Sequence, residues 1–300
     1  MAQILSGKDV AAALQKELLE RVEKLKEKNI TPTLAIVRVG EKESDIAYER
    51  GATKKCGALG IAVRNVILPG DVAEDTLLAA IEELNKDASV HGVLLFRPLP
   101  AHLNYDKVCN TLVAEKDVDA MTTINSGLVY DGSEDGFPPC TAQAVMEILD
   151  YYDIPVKSAR VALVGWGAVV GKPLSVLLLN RFATLSVCHI YTKDVSTPCK
   201  NAEIIISAAG KANLVGEKHL APGQIVIDVG INADPNDSSK IVGDVDFAYA
   251  EDLVKAITPV PGGVGSVTTS VLAKHVIQAA EKAGAWLVRN YRKGVENYDK

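Results

Sequence analysis

The sequence has few of the residues that mark disulfide-rich or metal-binding proteins. Its 300 residues include five cysteines, an odd number, and no Cys-x-x-Cys pair. That pattern excludes a disulfide framework and argues against a zinc site. The five histidines form no pair at helical ligand spacing, and no other cluster of ligand residues predicts a metal. We therefore expect a reduced, cytoplasmic protein without a metal centre.

Long apolar runs and excess positive charge are also absent. No stretch approaches the roughly 18 apolar residues that a membrane-spanning helix needs, and residues 1–7 lack the pattern of a secretory signal. Lys and Arg total 32 against 38 Asp and Glu, so the formal charge is −6. A nucleic-acid-binding surface usually shows as a basic excess. We expect a globular protein that uses neither a membrane nor a nucleic acid as its partner.

Short apolar runs alternate with helical spacing, and this alternation starts twice along the chain. At roughly 150 residues per domain, the length predicts about two domains. Alternating strands and helices predict an α/β fold with a mostly parallel sheet, and the segment around Pro138 is the best domain boundary. The predicted strands are residues 34–39, 62–68, 90–96, 160–164, 185–189, 203–207 and 224–228, and the last predicted helix covers 266–283.

The strongest local motif is a glycine-rich turn between a strand and a helix. It contains Gly165, Gly167 and Gly171 directly after the apolar run 161–164. Such a turn brings the backbone and a helix N-terminus close to a pyrophosphate, so it favours dinucleotide binding over an ordinary tight turn. The acidic residue expected about twenty positions on is missing, because Asp194 comes only after the strand end. The motif by itself leaves NAD and NADP open.

Three other loops have unusual compositions, covering residues 116–120, 137–141 and 257–266. The last one is rich in glycine and proline just before a helix. A backbone that passes close to a flat ligand has this composition, and so does a rigid connection between domains.

Taken in order, these segments resemble the methylenetetrahydrofolate dehydrogenase/cyclohydrolase family, two-domain enzymes of folate one-carbon metabolism. The resemblance extends from about Ile4 to the last helix, and so many motifs in one order leave convergence as no serious alternative. The matching segments are Tyr48, 90–95, 97–100, 115–119, 139–141, 170–173, 227–232, 242–245 and 258–265.

The resemblance implies two α/β domains around a cleft, the second with a Rossmann-like parallel sheet. Residues 1–139 plus 270–300 would form the folate-binding catalytic domain, and residues 140–269 the dinucleotide-binding domain. It also implies NAD or NADP as cofactor, tetrahydrofolate as the substrate carrier, and a homodimer paired through the cofactor domains.

Roles can be carried over position by position. The resemblance implies that Tyr48 stacks on the folate and that Asp119 hydrogen-bonds the pterin, a ring whose donors suit a carboxylate. Both are therefore expected at the catalytic site. Further folate contacts are implied for Pro261, Gly262 and Gly263. Dinucleotide contacts are implied for Thr141, Gly165, Trp166, Gly167, Ile190, Ile231, Gly265 and Thr268.

The chain departs from the family at two groups of positions. Ala52 stands where the family has its catalytic lysine, and Phe96 where it has a supporting glutamine. Trp166, Gly167 and Ile190 replace residues that in the family meet the 2′-phosphate of NADP. The first group predicts weak or absent cyclohydrolase activity. The second predicts NAD over NADP, although His189 and Lys193 offer some positive charge nearby.

Three functions remain open at this stage. The favoured one is a dehydrogenase with weak or absent cyclohydrolase activity, because hydride transfer from the substrate needs no general base. The second is the bifunctional enzyme with Lys55, three residues after Ala52, in place of the missing lysine. The third is a catalytically retired paralogue that binds folate, which the retained Tyr48 and Asp119 argue against.

Overall fold

The computed structural model describes residues 1–237 and 239–296, which divide into two compact units. One unit, which we call the three-stranded unit, comprises residues 14–127, 135–137 and the chain from 272 onward. The other, the six-stranded unit, comprises residues 1–13, 128–134 and 138–271. Each unit is named after its parallel sheet.

Strands and helices alternate from β1 to β4 and again from α6 to β7. Up to residue 130 they are β1 (Gln3–Ile4), α1 (Gly7–Lys26), β2 (Thr33–Val39), α2 (Glu43–Leu59), β3 (Ala62–Leu68), α3 (Glu74–Lys86), β4 (Gly92–Leu95), α4 (Tyr105–Thr111) and α5 (Thr123–Tyr130). From residue 140 they are α6 (Cys140–Tyr151), β5 (Arg160–Val164), α7 (Gly171–Asn180), β6 (Thr184–Cys188), α8 (Ser196–Asn201), β7 (Ile204–Ser207), β8 (Ile225–Asp228), β9 (Asn232–Ala233), β10 (Ile241–Val242), α9 (Phe247–Leu253), β11 (Ala256–Ile257) and α10 (Gly265–Glu296).

The sheet of the three-stranded unit has the order β3-β2-β4, with all strands parallel. The central strand β2 is buried along almost its whole length, as expected for a parallel strand covered on both faces. Helix α3 buries Leu77, Ile81 and Leu84, which recur at helical spacing and cover the sheet. Because the strands are parallel, the residues that follow β2 and β4 meet at one edge. That edge carries the predicted catalytic positions.

The six-stranded sheet has the order β1-β11-β8-β7-β5-β6, and every pairing in it is parallel. The chain passes from β5 to β6 on one side and then returns to β7 on the other side. In open parallel sheets, ligands bind at the carboxyl ends of the strands where the order reverses in this way. The topology therefore marks the carboxyl ends of β5 and β7. The predicted α/β fold with a Rossmann-like parallel sheet is confirmed.

The N-terminal segment differs from the prediction that residues 1–139 belong to the first domain. Strand β1 pairs with β11, and Leu5 N–H donates to Ile257 C=O at 2.8 Å, so residues 1–13 belong to the six-stranded unit. Residues 128–134 belong there as well. A two-residue strand has no periodic signal, and its partner lies about 250 positions away, so sequence reasoning could not place it. The last helix is longer than predicted, and the units change within it between Val271 and Leu272.

Within the described residues, no helix is both long enough and apolar enough to cross a membrane. All five cysteines are buried and unpaired by disulfides.

Candidate functional site

The glycine turn after β5 has two glycines that the backbone geometry requires. Gly165 has φ +120°, and a β-carbon there would overlap the carbonyl of Ala208. A β-carbon on Gly171 would overlap the carbonyl of Gly165. Gly167 has no atom within 4 Å of its would-be β-carbon. Gly165 and Gly171 therefore allow close packing of strand, turn and helix, while Gly167 leaves open space beside the turn.

A cavity of about 850 Å³ lies at the carboxyl ends of β5 and β7, where the strand order reverses. Its volume is in the range of small-molecule and cofactor sites. The lining residues come from the glycine turn, the segment after β6 and the loop after β7. They are Val164, Gly165, Trp166, Gly167, Cys188, His189, Ile190, Tyr191, Thr192, Val195, Ala208, Ala209, Lys211 and Leu214.

Three exposed apolar or aromatic side chains form part of this lining. Trp166 is 44% exposed, Ile190 90% and Tyr191 83%. Isolated surface side chains of this kind are common, but three around one cavity make a surface suited to a flat ring. Tyr191 is not one of the site residues predicted from the sequence, although it directly follows Ile190.

The described residues that line the cavity include two basic side chains, His189 and Lys211, and no Asp or Glu. Asp194 instead accepts hydrogen bonds from Ser196 and Thr197 at the start of α8, and these bonds lower the pKa of its carboxyl to about 2. Lys193 is exposed and is not a lining residue. Lys211, rather than Lys193, is the lysine that the structure places at the cavity.

The loop after β7 is held in place by a buried carboxylate that the sequence analysis did not select. Asp244 Oδ2 accepts from Ser207 Oγ at 3.1 Å and from Ala209 N–H at 2.6 Å. Its Oδ1 accepts from Lys211 N–H and from Asn232 Nδ2, both at 2.9 Å. Because Ala209 and Lys211 line the cavity, Asp244 fixes the shape of one wall.

A second buried carboxylate, Asp228, holds the segment that carries Asp244. Its Oδ1 accepts from Gly230 N–H at 2.8 Å and Asp244 N–H at 3.0 Å, and its Oδ2 accepts from Val245 N–H at 2.9 Å. Burial raises the pKa of Asp228 to about 6, and the three N–H groups oppose that rise. The segments 227–232 and 242–245 thus act as the support beneath the cavity wall.

The remaining predicted cofactor residues lie elsewhere in the six-stranded unit. Thr141, Ile231, Gly265 and Thr268 are not cavity-lining residues. Ile231 is exposed, and its Cδ1 lies 3.7 Å from the would-be β-carbon of Gly265. Thr268 is buried and its hydroxyl donates to Val264 C=O within α10. The structure therefore brings together Gly165, Trp166, Gly167 and Ile190, and groups Ile231 with Gly265.

The loop containing Pro261, Gly262 and Gly263 packs against the start of α1. Gly7 N–H donates to Gly262 C=O at 2.9 Å, and a β-carbon on Gly7 would overlap the carbonyl of Gly263. Gly262 has φ +107°. A β-carbon on Gly263 would lie 2.5 Å from Pro259 O. Backbone packing therefore accounts for these glycines on its own, whatever ligand the loop contacts.

The predicted catalytic positions meet at the carboxyl edge of the three-stranded sheet. The rings of Tyr48 and Phe96 pack edge to face, with centroids 5.7 Å apart. Ala52 lies one turn after Tyr48 on α2 and is 1% exposed. A side chain longer than alanine at residue 52 would have to find room in a packed interior.

Asp119 forms an ion pair that sequence reasoning missed. Arg97 Nη2 donates to Asp119 Oδ2 at 2.7 Å, and Arg97 Nη1 donates to the hydroxyl of Tyr105 at 3.2 Å. Burial works to lower the pKa of Arg97, but the neighbouring Asp119 and Tyr105 outweigh it and the pKa is raised. The sequence contained a signal for this pair, because Arg97 is a cation two residues after the end of the buried strand β4.

Lys55, considered as a substitute for the missing lysine, is held by the first helix. Its Nζ donates to Gln15 Oε1 at 3.1 Å. Burial lowers the pKa of this ammonium. By helical geometry Lys55 shares a face of α2 with Tyr48 and Ala52. Its ammonium is nevertheless bound to Gln15 of α1.

The described residues contain no group of three His, Cys, Asp or Glu side chains arranged to hold a metal ion.

Comparison with known proteins identifies both parts of the chain. Residues 5–119 match the catalytic domain of tetrahydrofolate dehydrogenase/cyclohydrolase, and residues 139–284 match the NAD(P)-binding domain of the same enzymes. The bifunctional protein FolD of Carboxydothermus hydrogenoformans is 47% identical over 281 residues, which cover 94% of this chain and 98% of that protein.

Solved structures give the same result. The FolD methylenetetrahydrofolate dehydrogenase/cyclohydrolase of Campylobacter jejuni superimposes with a TM-score of 0.91 at 40% identity, covering 94% of this chain and 99% of that one. The enzyme of Trypanosoma brucei, solved with NADP and an inhibitor, has a TM-score of 0.89 at 34% identity, covering 94% and 98% of the two chains. This chain therefore belongs to the tetrahydrofolate dehydrogenase/cyclohydrolase family.

Proposed function

We propose that this chain oxidises 5,10-methylenetetrahydrofolate to 5,10-methenyltetrahydrofolate by hydride transfer to NAD or NADP. The observation that carries the proposal is the cavity at the carboxyl ends of β5 and β7, bordered by a glycine turn in which Gly165 and Gly171 have no room for a β-carbon. That geometry fits a dinucleotide. The match of both family domains in order supports the folate substrate.

The chain's residues would bind and orient the two reactants. When bound, the nicotinamide ring accepts the hydride. The methenyl product is a cation delocalised over two nitrogens, and no proton has to leave, so this step requires no general base. The protein must hold the folate carbon against the nicotinamide ring, and such positioning lowers the activation barrier by several kcal/mol. Tyr48 and Asp119 are proposed to hold the folate, and the glycine turn the dinucleotide.

We further propose that the cyclohydrolase step is weak. Water attack on the methenyl cation moves protons and breaks a C–N bond, and a positioned acid–base group contributes about 10²–10⁴-fold to such steps. Ala52 has no group that can move a proton, and its side chain is buried. Phe96 packs its ring against Tyr48 instead of supplying an amide.

The second candidate is the bifunctional enzyme, and the names of the curated relatives favour it over the first. At 47% and 46% identity they are called bifunctional. Lys55 is the residue of this chain best suited to the missing role, because its partial burial lowers the pKa of its ammonium toward the range useful for proton transfer. To act, it would have to release Gln15.

One assay on the purified chain tests these functions together. Methylenetetrahydrofolate with NAD or NADP is followed at the absorbances of reduced nicotinamide and of methenyltetrahydrofolate. The proposed function predicts that both signals rise together and the methenyl signal persists. If methenyl decays faster than in buffer, the bifunctional enzyme is supported, and Lys55→Met should then restore its accumulation. Folate binding with neither signal would indicate a retired paralogue.

For the coenzyme, we propose that NAD is preferred over NADP. A 2′-phosphate needs cationic or hydroxyl donors, and leaving it without them is costly. Trp166 and Ile190 offer apolar surface, which leaves His189 and Lys211 as the basic residues at the cavity. The Trypanosoma brucei relative was solved with NADP, so the preference is a property of these side chains and not of the fold.

We also propose a homodimer paired through the cofactor domain. In the part of the chain that the structure describes, β6 is the last strand of the six-stranded sheet and has a neighbour on one side only. An unprotected edge of this kind is a natural pairing surface. Leu179 and Phe182, which are exposed and precede β6, would add apolar area to the same interface.

A further inference from the structure

Arg97 and Asp119 form a charge pair that is mostly shielded but still reaches solvent. Their side chains are 18% and 20% exposed. The bond between Nη2 and Oδ2 is 2.7 Å long, which is typical of a charge-assisted hydrogen bond. Tyr105 holds the other terminal nitrogen of the guanidinium through its hydroxyl.

The guanidinium has more donors than the protein uses. An arginine carries five N–H groups in a planar fork. Asp119 and Tyr105 are its acceptors, and the other N–H groups have no acceptor within the described residues 1–237 and 239–296. Shielding an ion pair carries a desolvation cost that an apolar pair would avoid. A pair kept at this edge, with donors to spare, is better explained by a ligand than by stability.

We infer that Arg97 is a specificity-determining residue for the pterin ring, donating to its 4-oxo oxygen beside Asp119. This inference rests on the proposed function, in which Asp119 accepts from the pterin. The edge of a pterin presents an acceptor, the 4-oxo oxygen, next to two donors, the N3–H and the 2-amino group. The Arg97–Asp119 pair presents the complementary order, a donor next to an acceptor, on one planar fork.

Tyr105 contacts the guanidinium and takes no part in the proposed contact with the pterin. Its hydroxyl accepts from Nη1 of Arg97, whereas the bond to Asp119 comes from Nη2. Tyr105→Phe therefore removes a neighbour of the guanidinium while leaving the Arg97–Asp119 bond. This makes it the matched control for a change at Arg97.

The test compares two ligands that differ at one atom. Tetrahydrofolate and its 4-thioxo analogue both carry the N3–H and 2-amino donors, but sulfur is a weak acceptor. Binding of each is measured by titration calorimetry on the full chain and on the Arg97→Leu, Arg97→Lys and Tyr105→Phe variants. The ratio of the two Kd values in one protein reports the contact with the 4-position alone.

We expect the unmodified chain to bind tetrahydrofolate about tenfold or more tightly than the thioxo analogue. In Arg97→Leu the two Kd values should fall within about twofold of each other, and in Tyr105→Phe the original ratio should persist. Equal weakening of both ligands in Arg97→Leu would overturn the inference, since it would mean that Arg97 only holds Asp119. If Arg97→Leu fails to fold, Arg97→Lys gives the same readout, because lysine lacks the planar fork.

The outcomes also separate this inference from the proposed function. If the unmodified chain binds both ligands equally well, the proposed function stands and the role inferred for Arg97 is wrong. A chain that binds neither ligand and reduces no coenzyme contradicts the proposed function itself.

Discussion

Gly243 lies so close to Asp228 that a β-carbon on residue 243 would overlap the Oδ2 atom of that carboxylate. The same arrangement recurs between Gly230 and the Oδ1 atom of Asp244. Each glycine lets the backbone approach a buried carboxylate. Asp228 accepts from the N–H groups of Asp244 and Val245, which follow Gly243, whereas Asp244 accepts from N–H groups of the loop after β7. The two contacts join the loop after β8 to the loop before α9 and support the cavity wall formed after β7.

Substituting Gly243 should therefore destabilise the fold. Gly243→Ala forces either the carboxylate or the backbone to move, and we expect a loss of roughly 3 kcal/mol in the free energy of unfolding. Gly57→Ala is the matched control, because this helical glycine has open space around it and alanine should be neutral or slightly stabilising there. Urea denaturation of the two variants measures the difference. Similar midpoints for both would contradict the proposed support.

The raised pKa of Asp228 predicts a dependence of stability on pH. The folded pKa is about 6, against roughly 3.9 in an unfolded chain, so the folded state binds more protons between those values. The free energy of unfolding should then fall as the pH rises from about 4 to about 6, by about 3 kcal/mol from this group.

Asp228→Asn tests this directly by urea denaturation across that pH range. In Asp228→Asn, the free energy of unfolding should change little between these pH values. Asp252→Asn, at an exposed position on α9, should show the same fall as the unmodified chain. An unchanged slope in Asp228→Asn would show that other groups produce the effect.

A lysine at residue 52 should restore hydrolysis of methenyltetrahydrofolate only if a change at Phe96 makes room for its side chain. Ala52→Lys alone buries an ammonium beside Phe96, which lowers its pKa and strains the helix. The double variant Ala52→Lys with Phe96→Gln should speed the decay of methenyltetrahydrofolate by about 10²-fold or more. Ala52→Met with Phe96→Gln keeps the length and removes the charge, so it should remain slow. Equal rates in the two double variants would argue that residue 52 takes no part in proton transfer.

Coenzyme choice should respond to Trp166 and Ile190. Trp166→Arg with Ile190→Ser adds a two-pronged cation and a hydroxyl at the cavity, and we expect the ratio of kcat/KM for NADP over NAD to rise about tenfold or more. Lys211→Met should lower the NADP value and leave the NAD value nearly unchanged. If Lys193→Met lowers kcat/KM for NADP and Lys211→Met does not, the 2′-phosphate of NADP is held by the segment after β6 and not by the loop after β7.

The edge of β6 can be tested through the oligomeric state. Leu179→Glu with Phe182→Glu places two charges beside the proposed interface and should convert a dimer to a monomer in analytical ultracentrifugation. Ile124→Glu, an exposed change in another helix, should leave the sedimentation coefficient unaltered. A monomer in the unmodified chain would contradict the proposed pairing.

The sequence alone determined the parts of this protein that depend on local patterns. The apolar runs predicted β2, β3 and all four strands from β5 to β8 to within one residue at either end, because buried parallel strands are continuous and bounded by turn residues. The glycine turn predicted dinucleotide binding beside it, and the cavity lies there. Gly171 packs against Gly165 within the turn, whereas the contact of Gly165 with Ala208 exists only in the folded sheet. The order of motifs placed the chain in its family.

The tertiary structure decided what depends on partners distant in the chain. Strand β1 pairs with β11 across about 250 residues. Because β1 is only two residues long, it has no periodic pattern from which it could be predicted. The sequence placed Asp228 and Asp244 within segments that match the family. Their burial and their hydrogen bonds to distant loops exist only after folding. Arg97 and Asp119 are 22 positions apart, and only the sheet edge that follows β4 brings their charges to 2.7 Å. A side chain's neighbours, and therefore its chemistry, are set by packing that no local pattern encodes.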